Sequence, residues 1–442
     1  MKWIKRSLLL LLVILVMGAW LNYPKLNIIS GYASKNMAST LSIAKRSEAS
    51  VILQDNNVPL IKLADVDVDN NSATATVFGL MPRKTICRPG LGCTLVNAEY
   101  DADFNLAEPQ RSFTKNNTPF PFGNGAAKDT VFQEVDYQVM EHALYNAFAD
   151  SDVQKTRSVL VVYKNHIVAE RYIDGFTKDT PILGWSMTKS VLATLFGILE
   201  FEGKIDLGKT GMVDAWKNDE RNEITLNHLL RMQSGLEWDE DYSGISDVTK
   251  MLFLASDMAQ IQAEKKALAK PTEIWNYSSG TSNLLSGILR NQFDSYQDYV
   301  DFPYVALIDR IGMHSMLIET DMKGNFVGSS YAWANTRDWA KFGLLYLNNG
   351  NWNGEQLFGK TWVDYVTEPT DLSDGTYGGH FWLNAHGKYP DAPKDLYSAN
   401  GYQGQRVFII PSKDLVIVRT GLAEAPDFDF NGFLKDILRA IP

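Results

Sequence analysis

A glycine-led heptapeptide running into an unbroken apolar helical pattern constrains this chain more than any other stretch. Gly184-Trp185-Ser186-Met187-Thr188-Lys189-Ser190 is followed by Val191, Leu192, Leu195, Phe196 and Leu199, apolar at helical spacing. Glu202-Gly203-Lys204 supplies a stop, with Gly203 placed as a cap past the last turn. The pattern predicts a buried helix beginning at or near Ser186. Lys189 lies one turn on, and residues three apart share a helix face, so hydroxyl and amine are directed into one cleft. A serine hydroxyl is a poor nucleophile until something takes its proton. A lysine can do this only if burial or nearby cations lower its pKa. The helix N-terminus adds free N–H groups and partial positive charge where an oxyanion would form. Ser-x-x-Lys by itself also fits an ordinary surface helix start, so the reading depends on partners elsewhere in the chain.

The 442 residues suffice for one large catalytic domain and an extra segment. A formal net charge of −10 and a pI near 5.2 provide no basic footprint for nucleic acid. At the N-terminus Lys2, Lys5 and Arg6 precede an apolar run from Leu8 to Leu21. That is a charged n-region followed by a short h-region, and the run is short of the ~20 residues of a spanning helix. Residues 1–21 are read as a signal peptide, cut after Gly18 or Ala19, or as an uncleaved membrane anchor. Either places the catalytic domain outside the cytoplasm, in the periplasm or attached to the membrane. Cys87 and Cys93 flank a Pro- and Gly-containing loop, for which a disulfide is the expected form in an exported chain. Free thiols and a metal pair are the alternatives, and no histidine or further cysteine lies nearby to complete a metal site.

Residues 22–50 read as a tether or an early helix, and Ser50–Leu53 and Ala73–Phe78 as short β pieces. Residues 101–130 are rich in Pro, Asn and Gly and read as a loop or linker, so 22–130 forms an accessory region ahead of a main domain at 131–442. A helix is expected over 136–150, then a hairpin of Ser158–Tyr163 and Ile167–Tyr172. Helical runs fill the middle, including one from Thr225 and one over Trp339–Leu347. Strands follow at Tyr377–Leu383, Arg406–Ile410 and Leu415–Arg419, and a closing helix at Asn431–Ile441. Strands on both sides of a helical middle imply one antiparallel sheet assembled from both ends of an α/β domain, flanked by helices, with an all-helical lobe between them.

Two later motifs offer partners for Ser186. Asn276-Tyr277-Ser278-Ser279-Gly280 presents a phenol and hydroxyls, and the phenol can relay a proton beside a cation. Ala399-Asn400-Gly401-Tyr402-Gln403-Gly404 precedes a strand, and its glycines permit close backbone approach. Taken alone, a core tyrosine and a tight strand entry explain these equally well.

Together, Ser186-x-x-Lys189, Tyr277-x-Ser279 and the glycine-rich entry at 399–404 resemble the serine β-lactamase and penicillin-binding-protein superfamily, in its class C-like branch. Met232-Gln233-Ser234-Gly235-Leu236, Trp238-Asp239-Glu240-Asp241-Tyr242 and Gly401-Tyr402-Gln403-Gly404-Gln405 resemble, more narrowly, the 6-aminohexanoate-dimer hydrolase group. The resemblance implies acylation of Ser186, proton transfer by Lys189 and Tyr277, and an oxyanion hole from the backbone N–H groups of Ser186 and Tyr402. It implies substrate contacts from Tyr242, Ser279, Asn400 and Gly401, a small ester, amide or short peptide as substrate, and no cofactor or metal. The β-lactamases carry Lys or His where this chain has Ala399, and class C enzymes carry Asn where it has Ser279, which points away from lactams. A penicillin-binding protein, a D-peptidase and a non-catalytic binding protein on the same fold are the competing expectations.

A Ser-His-Asp hydrolase fits less well, because Gly184-Trp185-Ser186-Met187-Thr188 lacks the second glycine of a nucleophile elbow. His228 and His314 fall in helical runs as structural residues, while His380 and His386 have no assigned role. Asp239, Glu240 and Asp241 are adjacent and cannot straddle a glycosidic bond by themselves.

Overall fold

The computed structural model describes residues 2–101, 106–112, 117–123 and 125–442. Two compact units are distinguished. The smaller comprises 1–104, 239–257 and 321–323, and the larger 105–238, 258–320 and 324–442. The described residues between 106 and 130 group with the larger unit.

In the smaller unit, helix α1 runs unbroken over Lys2–Ile43, so 22–43 is helix rather than tether. Its first part carries exposed Leu8, Leu10, Leu11, Val13, Ile14 and Met17. Among the described residues no helix is long and apolar enough to cross a membrane. The later part of α1 covers an antiparallel meander of β1 (Ala64–Asp69), β2 (Ser72–Val77), β3 (Leu80–Arg88) and β4 (Gly92–Val96). Met37 and Ala38 of α1 pack there with Val51, Ala73 and Cys93. Small side chains permit the close approach, and Ser34 Oγ bonds Thr85 Oγ1 at 2.9 Å across it. Cys87 and Cys93 sit opposite each other on β3 and β4 and form the expected disulfide. Ser50–Leu53 is not a strand. It belongs to a short helix, Glu48–Leu53, because the Ser47 hydroxyl accepts the Ser50 N–H and caps it.

The larger unit begins with helix α2 (Tyr137–Asn146), whose first turn is capped by the Asp136 carboxylate. The hairpin of β5 (Thr156–Tyr163) and β6 (His166–Tyr172) follows as expected, and then α3 (Met187–Phe201). Helices α4 (Ser279–Arg290) and α5 (Thr336–Leu347) come from the middle of the chain. The chain then returns through β7 (Trp382–Leu383), β8 (Tyr397–Gly401), β9 (Gln405–Ile410) and β10 (Leu415–Gly421), and closes with helix α6 (Phe430–Leu438). One six-stranded sheet results, in the order β7-β8-β9-β10-β5-β6, with every pair antiparallel. Both ends of the domain do build it.

Strands β5, β9 and β10 are buried along their whole length, which is why they read as apolar runs without alternation. Val159 and Val161 face Met140, Leu144, Leu434 and Ile437 of α2 and α6. On the other face Gly343 of α5 lies so close to Val407 and Val416 that a Cβ there would meet them at 2.9 and 2.7 Å. Residues 377–381 depart from the expected strand. A Cβ on Gly378 would lie 2.0 Å from the Val366 carbonyl, and His380 takes a φ of +62°, so the chain turns back, Tyr377 bridges Trp382, and Trp382–Leu383 alone of this stretch joins the sheet. His314 lies in a turn, not in a helical run.

Candidate active site

The nucleophile sits where a strained turn meets a helix. Trp185 is a buried non-glycine residue with φ +48°, a conformation that costs free energy and persists only when packing imposes it. Its ring is held between Tyr331, at 6.2 Å between centroids, and Tyr402, edge-on at 5.5 Å. The turn delivers Ser186 as the residue before α3. In that position a serine normally caps the helix, yet the Ser186 side chain makes no capping bond. Its hydroxyl is left for the cleft.

Lys189 is 1 % exposed. Its Nζ lies 3.0 Å from Ser186 Oγ, 2.9 Å from Ser279 Oγ and 2.9 Å from the Ser329 carbonyl. A carbonyl can only accept, whereas each hydroxyl can donate or accept. The same geometry therefore serves an ammonium that donates three times and a neutral amine that receives a serine proton. Tyr277 completes the group, with its ring centroid 4.9 Å from the Lys189 Nζ. That ring packs against Trp382 at 5.3 Å and edge-on to Tyr377 at 5.8 Å, so this side of the group is aromatic.

Ser279 opens α4 and is fully buried, with Ser278 capping the helix through the Thr281 N–H. Gly401, at the end of β8, abuts the nucleophile turn, and a Cβ there would sit 2.0 Å from the Gly184 carbonyl. Only glycine brings β8 this close, which places Tyr402 beside Trp185. Asn400 precedes it, and its buried Oδ1 has no hydrogen-bond partner among the described residues. Thus Ser186, Lys189, Tyr277, Ser279, Gly401 and Tyr402 converge in the larger unit. Tyr242 belongs to the smaller unit, where its hydroxyl donates to Glu240 Oε1 at 3.3 Å.

Two participants escaped the sequence reading. One is the Ser329 carbonyl, a backbone atom that any residue supplies; its N–H is in turn fixed by Asn283 Oδ1 at 3.0 Å. The other is His380, which is fully enclosed behind the site. Its Nδ1 lies 2.6 Å from the Leu230 carbonyl and so carries the proton, leaving Nε2 to accept from Ser282 Oγ at 3.1 Å. Ser190 of α3 donates to the His380 carbonyl at 2.7 Å, so this residue ties α3 to α4. His228 has a plainer role, accepting the Thr225 N–H in a capping box.

Burial pushes the His380 imidazole down to about 3, with the Leu230 bond opposing and the Lys189 charge adding to the effect. A histidine depressed in the folded state stabilises the fold fully above its unfolded pKa of 6.5, and that contribution drains away as pH falls toward about 3. Urea unfolding between pH 4 and 7 should show stability falling with acid, and His380→Gln should flatten that slope. Equal slopes in both proteins would refute the assignment.

A six-stranded antiparallel sheet with helices on both faces, and a serine beside a buried lysine at the start of a helix, define a serine hydrolase of the β-lactamase/transpeptidase-like fold. The chain belongs to the Beta-lactamase family, whose model matches residues 147–429. It is 24% identical over 319 residues to the 6-aminohexanoate-dimer hydrolase of Paenarthrobacter ureafaciens, covering 65% of this chain and 79% of that relative. Among solved structures it is similar to a Bacillus anthracis protein provisionally named 6-aminohexanoate-dimer hydrolase, with a TM-score of 0.58 and 21% identity over 78% of this chain and 90% of the other. A family VIII carboxylesterase aligns with a TM-score of 0.53 and 16% identity, covering 72% of this chain and 100% of that one.

Proposed function

We propose that the protein hydrolyses a small ester or amide through an acyl-enzyme on Ser186, in the manner of a 6-aminohexanoate-dimer hydrolase. The observation that carries this is the buried Lys189 amine in contact with both the Ser186 and Ser279 hydroxyls beneath the Tyr277 ring. Lys189 and Tyr277 take the Ser186 proton as the oxygen attacks the carbonyl. The oxyanion is received by the N–H groups of Ser186 and Tyr402, a reading supported by the Gly401–Gly184 approach. Collapse expels the alcohol or amine, protonated through Tyr277, and water then releases the acyl group. Ser279, Gly401 and Asn400, whose Oδ1 has no hydrogen-bond partner among the described residues, are the polar contacts assigned to the bound substrate. Ala399 provides no cation for a carboxylate, which favours neutral esters and linear amides over penicillins.

The resemblance of Trp238–Tyr242 to the 6-aminohexanoate-dimer hydrolases is the ground for giving Tyr242 the leaving nitrogen of amides. Tyr242→Phe should lower amide turnover by about a hundredfold, the low end of what one proton-transfer group contributes, while ester turnover stays within about twofold. Equal losses would remove that role. The whole reading is tested by supplying the purified protein with a p-nitrophenyl ester, an aminohexanoate dimer, a D-Ala peptide and nitrocefin. Hydrolysis of the first two with a fluorophosphonate-reactive Ser186 is the expected result. Labelling without turnover of any of the four would favour a binding protein instead.

We further infer that the protein is exported. The charged and then apolar N-terminus and the oxidised Cys87–Cys93 pair support this.

A further inference from the structure

Four consecutive carbonyls in the turn joining β8 to β9 are each held by a side-chain N–H. Arg406 Nη1 donates to Gly401 O at 2.8 Å and Gln405 Nε2 to Tyr402 O at 3.2 Å. Arg419 Nη1 donates to Gln403 O at 3.3 Å and to Gly404 O at 3.0 Å. Glu424 ties the set together, accepting the Gly404 N–H at 3.0 Å and Arg406 Nη2 at 2.9 Å. Both guanidinium groups are buried and lie on rings, Arg406 4.5 Å over Phe430 and Arg419 4.2 Å over Phe428. Burial lowers Arg419 to about 9, with Arg406 adding to the effect, so it remains a cation at neutral pH. Enclosing two like charges opposes folding, so the turn is held at a cost in stability.

The peptide unit is planar and trans. Fixing the Gly401 carbonyl therefore fixes the direction of the Tyr402 N–H on the opposite edge of the same plane. A cation bonded to that carbonyl also draws electron density along the unit and makes the N–H a stronger donor. We propose that Arg406, held by Glu424, positions and polarises the Tyr402 N–H as an oxyanion donor. This rests on the acyl-enzyme reading above. Arg419 and Gln405 restrain the rest of the turn, where Gln403 and Gly404 take φ of +61° and +80°. Arg406 touches no reacting atom in this scheme. It is a positioning residue, and its signature is a loss of transition-state binding with substrate binding preserved.

The test is steady-state kinetics on a p-nitrophenyl ester together with inhibition by an alkylboronic acid, whose tetrahedral adduct places an oxygen in the oxyanion position. Arg406→Met should lower kcat ten- to a hundredfold, with KM within about twofold, and raise the boronate Ki by a similar factor. Arg406→Lys should restore part of both. Glu424→Ala should show the same pattern at smaller amplitude; its carboxylate is 41% exposed, so it carries the test if Arg406→Met does not fold. A folded variant with wild-type kcat, or a kcat loss with unchanged boronate affinity, overturns the proposal. Failure of the underlying reading looks different: the wild type hydrolyses no ester or amide, or Ser186→Ala stays active.

Discussion

Ser186→Ala is expected to abolish ester turnover, by roughly 10⁴-fold or more, and to leave the fold unchanged. The second half of that expectation comes from the geometry. A serine before a helix usually caps it, and its loss costs about 0.5–2 kcal/mol, but the Ser186 hydroxyl makes no capping bond. Its hydrogen bond to Lys189 therefore reports chemistry, not helix stability. Thermal unfolding of the variant should match wild type within about 2 °C, the shift expected of a surface-scale change in free energy. Initial rates on a p-nitrophenyl ester and fluorophosphonate labelling measure the rest. Unchanged turnover would end the assignment of the nucleophile.

Lys189→Met should cost about three orders of magnitude in kcat, because a serine without a proton acceptor is scarcely nucleophilic. Methionine keeps much of the side-chain length in a site only 1 % exposed, so no large cavity opens. The Ser329 carbonyl loses the Lys189 donor, a penalty of about 1–3 kcal/mol if it is left unsatisfied. Removing a buried amine offsets part of that, since burying charge is itself unfavourable. A modest fall in Tm together with a near-total loss of turnover is the combined outcome. Lys189→Ala adds a further check: small primary amines should restore part of its activity by entering the vacated space. A Lys189→Met protein that retains wild-type kcat would remove the general base.

Legibility in the sequence followed the range of the interactions concerned. Apolar spacing in α3, the β5–β6 hairpin and the apolar runs of β9 and β10 are local patterns, and each appears where expected. Ser50–Leu53 misled because β-branched residues outweigh a modest cap in a short window, while the structure uses the Ser47 cap. Residues 377–381 misled because Gly378 serves a tertiary fit against Val366 and His380 turns at positive φ to reach Leu230, both invisible to any local period.

From the sequence alone came the residue types that chemistry needs: Ser186 and Lys189 one helical turn apart, Tyr277 with Ser279, and glycines beside Tyr402. Such features are local, written in side-chain identity and spacing. Only the folded chain decided that Lys189 reaches Ser279 and the Ser329 carbonyl, 90 and 140 positions away. Only the fold, too, pressed Gly401 against Gly184 and fastened the following turn with Arg406, Arg419 and Glu424. Backbone carbonyls carry no residue signature, and a missing Cβ or a buried guanidinium acquires meaning only from what packs against it.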